Sequence, residues 1–158
     1  MIAIPTSPVR RRGTTVVETA VVSIVCFIFM FGLFEYGRIV QMRNMLENAA
    51  RTGARTAVVE PVNIVTTAQA TSDVDNAVLA VLAGSNLQNI RITIFQADTN
   101  GNMTTPNWTA APFGQNLVVM VEADYPNLFP TFGWLPQSGT TANSTYLKAV
   151  SMMRSEAN

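Results

Sequence analysis

The sequence predicts an α+β protein. It has a long N-terminal membrane-spanning α-helix that continues into a small globular domain with a short helix and an antiparallel sheet of about three to four strands. Three observations predict it. Thr14 to Phe34 is a 21-residue apolar block whose one charge is Glu18. Helical periodicity then runs on without a proline to about Val59. Beyond Pro61 the pattern breaks into short runs separated by Gly, Asn and Pro.

Met1 to Gly13, with Pro5 and Pro8, reads as a short cytoplasmic leader (1-13). The block 14-34 is about 31 Å long as a helix, close to the hydrocarbon thickness of a bilayer. It is followed by Glu35-Tyr36-Gly37-Arg38 rather than by a small-x-small site, which argues against an ordinary cleaved secretory signal. Arg10, Arg11 and Arg12 precede the block, whereas Arg38 and Arg43 after it are offset by Glu35 and Glu47. That bias puts the N-terminus in the cytoplasm and the C-terminal domain outside.

Residues 35-60 read as an extramembrane continuation of the helix. Ile39, Met42, Leu46, Ala49, Gly53 and Thr56 form a stripe, widened by Ala50, Ala54 and Ala57. Arg43, Glu47, Arg51 and Arg55 lie opposite, with Glu47 and Arg51 spaced for an i,i+4 pair. The stripe suits docking onto the chain's own domain, or helix-to-helix packing in an assembly, where small residues permit close approach. Pro61 ends the helix.

Residues 61-158 read as an extracytoplasmic α+β domain. Ser72 or Asp73 caps a second helix that runs through Ala83, with Asp73 and Asp75 at its favourable end and Gly84 as the stop. Strands are expected at 90-95, 117-123 and 146-153. Asp98 to Gln115 is a solvated loop or a two-stranded excursion. Pro126 to Ser144 holds Leu128, Phe129, Phe132, Trp134 and Leu135, which either cover the sheet or the long helix as core or form an apolar surface for a partner subunit or the outer membrane leaflet.

Composition excludes several functions. Ten Lys+Arg balance ten Asp+Glu, with no basic patch dense enough for nucleic acid. With no His and the single Cys26, a His-dependent triad or a zinc site is ruled out, as is an intrachain disulfide. No phosphate loop or dinucleotide fingerprint is present, so no cofactor and no small-molecule substrate is expected, and the chain reads as a non-enzyme. Glu122 and Asp124 share one strand face and would make at most a weak cation site.

The chemistry that remains lies at the head of the helix. A peptidase at the inner membrane face needs an accessible bond, and Gly13 supplies backbone freedom without bulk. Cleavage after Gly13 would free the amine of Thr14, one helical turn from Glu18. A carboxylate in hydrocarbon needs a cation, and the freed amine of a neighbouring helix is one. Alternatively, Glu18 lies at the headgroup boundary, capped by its own helix N-terminus. Glu35 and Arg38, three apart, suit a local pair or a bridge between helices.

The spacing Gly13-x-x-x-x-Glu18 before an apolar helix resembles the processing signal of type IV prepilins. Glu35-Tyr36-Gly37-Arg38 and Leu46-Glu47-Asn48-Ala49-Ala50-Arg51-Thr52-Gly53-Ala54-Arg55 resemble the TadE-like family of the tight-adherence (Flp) pilus system. The resemblance is close from Arg11 to about Ala57, returns weakly at Ala149 to Glu156, and in the middle of the chain extends only to the general layout. Thr19 and Ile24 depart from it, standing where the family often has a large apolar residue and a proline. The resemblance implies a pilin-like fold and a minor pilin or pseudopilin processed between Gly13 and Thr14 by a prepilin peptidase. It implies other pilin-like subunits and the pilus assembly platform as partners, in a bacterial inner membrane. The alternative is an uncleaved membrane-anchored scaffold or binding module of an envelope secretion system.

Overall fold

The computed structural model describes residues 12–59, 67–128, 139 and 143–155. It forms two compact units, one ending at Tyr36 and one beginning at Gly37. Helix α1 spans Arg12–Val59, 48 residues without a break. It carries no proline, and the hydroxyls of Thr19, Thr52 and Thr56 donate to the carbonyls four residues earlier at 2.8, 3.0 and 3.2 Å. Those bonds satisfy the polar groups without leaving the helical path. The helix passes Ile24 unbroken. Pro61 lies outside the described residues.

In the second unit, α1 is a core element. Leu46, Ala49, Ala50, Ala54, Ala57 and Val58 are all buried, joined by Ile39 and Met42 at the margin. Over this stretch the stripe docks onto the chain's own domain, the first of the two readings offered by the sequence. Its opposite face is solvated: Arg51 and Arg55 are exposed. The ion pair here joins Arg43 Nε to Glu47 Oε1 at 3.5 Å, where the sequence suggested Arg51. Both spacings are i,i+4, and both side chains of the observed pair are largely solvated, so little energy separates the two choices.

Helix α2 spans Thr67–Leu82. The expected start at Ser72 or Asp73 is wrong by at least five residues. Ser72 is not a cap; its hydroxyl donates to the Ala68 carbonyl at 2.9 Å, within the helix. Ala68, Gln69 and Ala70 are good helix formers, and Val74, Val78 and Leu82 bury one face, so tertiary packing extends the helix past the apparent cap signal. Asp73 and Asp75 consequently sit beyond the first turn. Gly84 stops the helix with φ +84°, and Ser85 N–H donates to the Leu82 carbonyl at 3.0 Å.

Four antiparallel strands follow: β1 (Gln88–Ala97), β2 (Met103–Thr105), β3 (Asn116–Pro126) and β4 (Ser144–Arg154). Their order in the sheet is β2-β1-β3-β4. The 98–115 segment is thus a short excursion, with β2 returning on β1 (Gln96 opposite Thr105) before a single 3-10 turn at Trp108–Ala110. Central β3 alternates as a two-sided strand must. Leu117, Val119, Val121, Ala123 and Tyr125 join the core with α1 and α2, and Val118 joins Phe95 and Ala97 on the other face. The end of β4 is tied to the preceding turn. Arg154 Nε donates to the Gly114 carbonyl at 2.9 Å, and Ser155 N–H donates to the Gln115 carbonyl at 2.7 Å. Phe129, Phe132, Trp134 and Leu135 lie outside the described residues; Leu128 is exposed.

Glu122 and Asp124 do sit on one strand face, but protein groups engage both. Glu122 accepts from the Tyr146 hydroxyl at 2.5 Å and faces Arg91 Nε at 3.7 Å. Asp124, almost fully buried, accepts from Asn89 Nδ2 at 2.9 Å. The register places these partners side by side: Arg91 opposite Glu122 on β1, and Tyr146 opposite Asp124 on β4. Asn89 reaches Asp124 from a left-handed backbone, φ 50°, where the β1–β3 register shifts. Among the described residues no group of three or more His, Cys, Asp or Glu converges as a metal site would require. The carboxylates stitch the sheet rather than offering open oxygens.

Two predictions follow from this packing. A Cβ added at Gly53 would lie 2.6 Å from Val78 Cγ2 and 3.3 Å from Val119 Cγ1, so the glycine sets how closely α1 approaches α2 and β3. Gly53→Ala therefore destabilises the folded unit by about 1 kcal/mol, overpacking outweighing the gain in helix propensity. In denaturant titrations the loss shrinks in a Val78→Ala background; an unchanged loss would place the strain elsewhere. The second concerns Tyr146. Its hydrogen bond to Glu122, then desolvation, then the Glu122 charge raise the phenol above its ordinary 10.0. A raised folded pKa means that this contribution to stability is complete below the ordinary value and is lost as pH rises through the folded one. Absorbance titration will show one tyrosine ionising at lower pH in Glu122→Ala than in the parent; coincident curves would contradict the assignment.

Candidate functional site

The first unit is a helix with nothing of its own to bury. Every described side chain from Gly13 to Phe34 is exposed except the half-buried Ser23. Val16, Val21, Ile24, Phe29, Leu33 and Phe34 are among the large apolar groups left open. A helix that is apolar all round is stable only against another apolar medium, either lipid or other helices. The most apolar stretch of α1 buries none of its residues. It is long and apolar enough to cross a membrane, and so suggests a single-pass membrane protein. Phe27 and Phe31, one turn apart, stack with ring centroids 6.2 Å apart. Cys26 is exposed on the same helix.

The head of this helix carries the residues that the sequence singles out for processing. Arg12 is the first helical residue, Gly13 and Thr14 follow within the first turn, and Glu18 lies about a turn further on, exposed. Arg10 and Arg11 lie outside the described residues. A Cβ added at Gly13 meets nothing within 4 Å. Glycine in a helix costs about 1 kcal/mol relative to alanine, and no neighbour here requires the missing side chain. The glycine has no packing reason in the described residues, in contrast to Gly53. Thr15 accepts at its carbonyl from Thr19, so the polar groups near Glu18 lie along one turn of helix.

The other predicted site residues divide between the two units. Glu35 is buried, with 7% of its surface exposed. Hydrophobic periodicity alone would not have marked this carboxylate as a buried position. In the second unit the Arg38 guanidinium carbon lies 5.5 Å from the centroid of the Tyr125 ring, a cation–π contact to a fully buried aromatic. Sequence reasoning missed this contact because 87 residues separate the two positions and no local spacing links them. Arg51 and Arg55 stand in solvent one turn apart. The structure thus keeps Gly13, Thr14 and Glu18 together at one helix end, and it places Arg38, Arg51 and Arg55 in the globular unit.

No constellation of nucleophile and base emerges from these residues, and what the arrangement offers is a surface for insertion and packing. Comparison with curated proteins and with solved structures finds no match to the chain. A family model does match one part of it. Residues 13–55, which carry Gly13, Glu18 and the Glu35-to-Arg55 pattern, match the family described as TadE-like protein, a pilus-associated structural family, and the match suggests a protein associated with the Tad pilus.

Proposed function

We propose that this chain is a minor pilin or pseudopilin of a tight-adherence pilus, made as a precursor and processed by a prepilin peptidase between Gly13 and Thr14. The observation that carries this reading is the exposed apolar helix, headed by a glycine with no packing role and a carboxylate about one turn later. Residues 1-13 are the cytoplasmic leader, with Arg10, Arg11 and Arg12 holding it on the cytoplasmic side of the inner membrane. Residues 14-34 span the bilayer, and the rest of the chain lies outside. After extraction by the assembly platform, the apolar helix packs against those of other pilin-like subunits. Glu18 meets the Thr14 amine of a neighbour and so fixes axial register, since a charge pair in hydrocarbon is satisfied only at the matching height. Glu35 and Arg38 mark the exit from the membrane.

The test is the mass of the N-terminal peptide from cells with and without the prepilin peptidase. The expected result is a chain starting at Thr14 in the first and an uncut leader in the second. An uncut leader in both would overturn the proposal in favour of a permanently anchored scaffold. Glu18→Ala should insert and be cut normally yet lower the yield of surface pili several-fold; full piliation would remove the proposed pairing.

A further inference from the structure

Helix α1 and strand β3 run in opposite directions through the second unit. Arg38 stacks over Tyr125, and a Cβ added at Gly53 would lie 3.3 Å from Val119 Cγ1. From Arg38 to Gly53 the helix rises about 22 Å, and from Tyr125 back to Val119 the strand covers about 20 Å, so the two contacts describe one antiparallel alignment. The chain enters this unit at Gly37, three residues after Phe34 closes the apolar block. Strand β3 therefore runs toward the end of the unit at which α1 arrives, and it delivers Leu128 there, 56% exposed. The base of that end is pinned. Asn127 N–H donates to the Asn143 carbonyl at 3.0 Å, and the Thr145 hydroxyl donates to Asn127 Oδ1 at 2.9 Å. Strand β1 begins at the same end, with Gln88 opposite Asp124, so the connection from α2 emerges beside it.

Charge is missing from the connections at this end. The sequence has no Asp, Glu, Lys or Arg from Tyr125 to Leu147, nor from Asn76 to Ile90. The first stretch also contains Phe129, Phe132, Trp134 and Leu135, which lie outside the described residues. Two charged side chains at this end are turned to the unit itself: Arg38 is half-buried against Tyr125, and Asp124 is almost fully buried, with Asn89 donating to it. The opposite end differs. Met103 and Phe113 are exposed there, but they share it with Asp98 and the exposed Arg154. We propose that the Leu128 end of this unit rests in the headgroup layer of the bilayer that α1 spans. That layer accommodates aliphatic and aromatic side chains beside hydrogen-bonding groups, whereas a charge carried to the acyl boundary is costly. A protein partner would have to displace the bilayer from this end, and no charge in its connections is there to orient one. The proposal rests on the membrane-spanning reading of α1 and does not require cleavage at Gly13.

The experiment uses the full chain reconstituted in phosphatidylcholine vesicles. Trp108→Phe and Trp134→Phe remove both tryptophans. Single reporters are then placed at exposed positions: Leu128→Trp, Phe29→Trp in the apolar helix, and Phe113→Trp at the far end of the unit. Lipid brominated near the headgroup should quench Leu128→Trp about twofold, more than lipid brominated at the chain ends, and should leave Phe113→Trp unchanged. Quenching of Phe29→Trp without quenching of Leu128→Trp overturns the contact while α1 still spans the membrane. Equal quenching of Leu128→Trp and Phe113→Trp overturns it as well. Blue-shifted but unquenched emission from Leu128→Trp means that protein covers the site, which also defeats the proposal. No quenching of Phe29→Trp removes the spanning reading and the contact with it. A second measurement keeps both native tryptophans: a nitroxide on Leu128→Cys, in a Cys26→Ser background, should be more accessible to oxygen than to a water-soluble nickel chelate, and the reverse order counts against the contact.

Discussion

The close approach at Gly53 is the constraint on which the second unit depends. The core face of α1 there is built from Ala49, Ala50, Gly53, Ala54 and Ala57, side chains too small to make a core by themselves. They bury area only by letting Val74 and Val78 of α2, and Val119 of β3, come within contact of the α1 backbone. Small residues on one element are matched by branched residues on its neighbours, which is how interior density is reached without voids. The sheet register follows from the same requirement. With Val119 and Val121 turned toward α1, strand alternation forces Val118, Met120, Glu122 and Asp124 to the other face, where Arg91, Tyr146 and Asn89 meet the carboxylates.

The N-terminal half of α1 obeys a different rule. It has the hydrogen-bonding pattern of any helix but no internal core, so its stability depends on what surrounds it. The glycines show the contrast. Gly53 is fixed by neighbours closer than a methyl group allows, whereas Gly13, Gly32 and Gly37 meet nothing within 4 Å. Gly13 and Gly32 therefore have no reason among the described residues for lacking a side chain. The same logic applies to Glu18. An exposed carboxylate on an apolar helix is tolerable in water and costly in hydrocarbon, so its presence says more about the surroundings in which the helix works than about the fold.

The elements set by local pattern were legible in the sequence. The long helix, the alternation of β1, β3 and β4, and Gly84 as a helix stop all follow from periodicity and backbone preference, signals carried within a few residues of each position. What failed needed tertiary information. Ser72 and Asp73 look like a helix start, but burial of Ala70, Val74 and Val78 rewards an earlier one. Glu47 has two arginines at equal spacing, and nothing local chooses Arg43. The Glu122–Tyr146 and Asp124–Asn89 bonds join residues 24 and 35 positions apart, and a shared strand face could be read only as paired carboxylates until their donors were in place. The head of the helix is a different case. A processing signal is read by an enzyme along the chain, so the proposal for Gly13 and Thr14 rests on linear sequence rather than on the fold.

Surface charge that folding leaves unpaired carries a different kind of information. Arg43 and Glu47 neutralise each other, as do Arg91 and Glu122, so these pairs leave little net field at the surface. Arg51 and Arg55 on one side and Asp73 on the other have no such partner among the described residues. Like charges one turn apart, as at Arg51 and Arg55, work slightly against an isolated helix. Glu47 stands one turn from both Arg43 and Arg51 on the same face, and the structure pairs it with Arg43, so Arg51 and Arg55 are left to solvent, where hydration replaces an exposed ion pair at little cost.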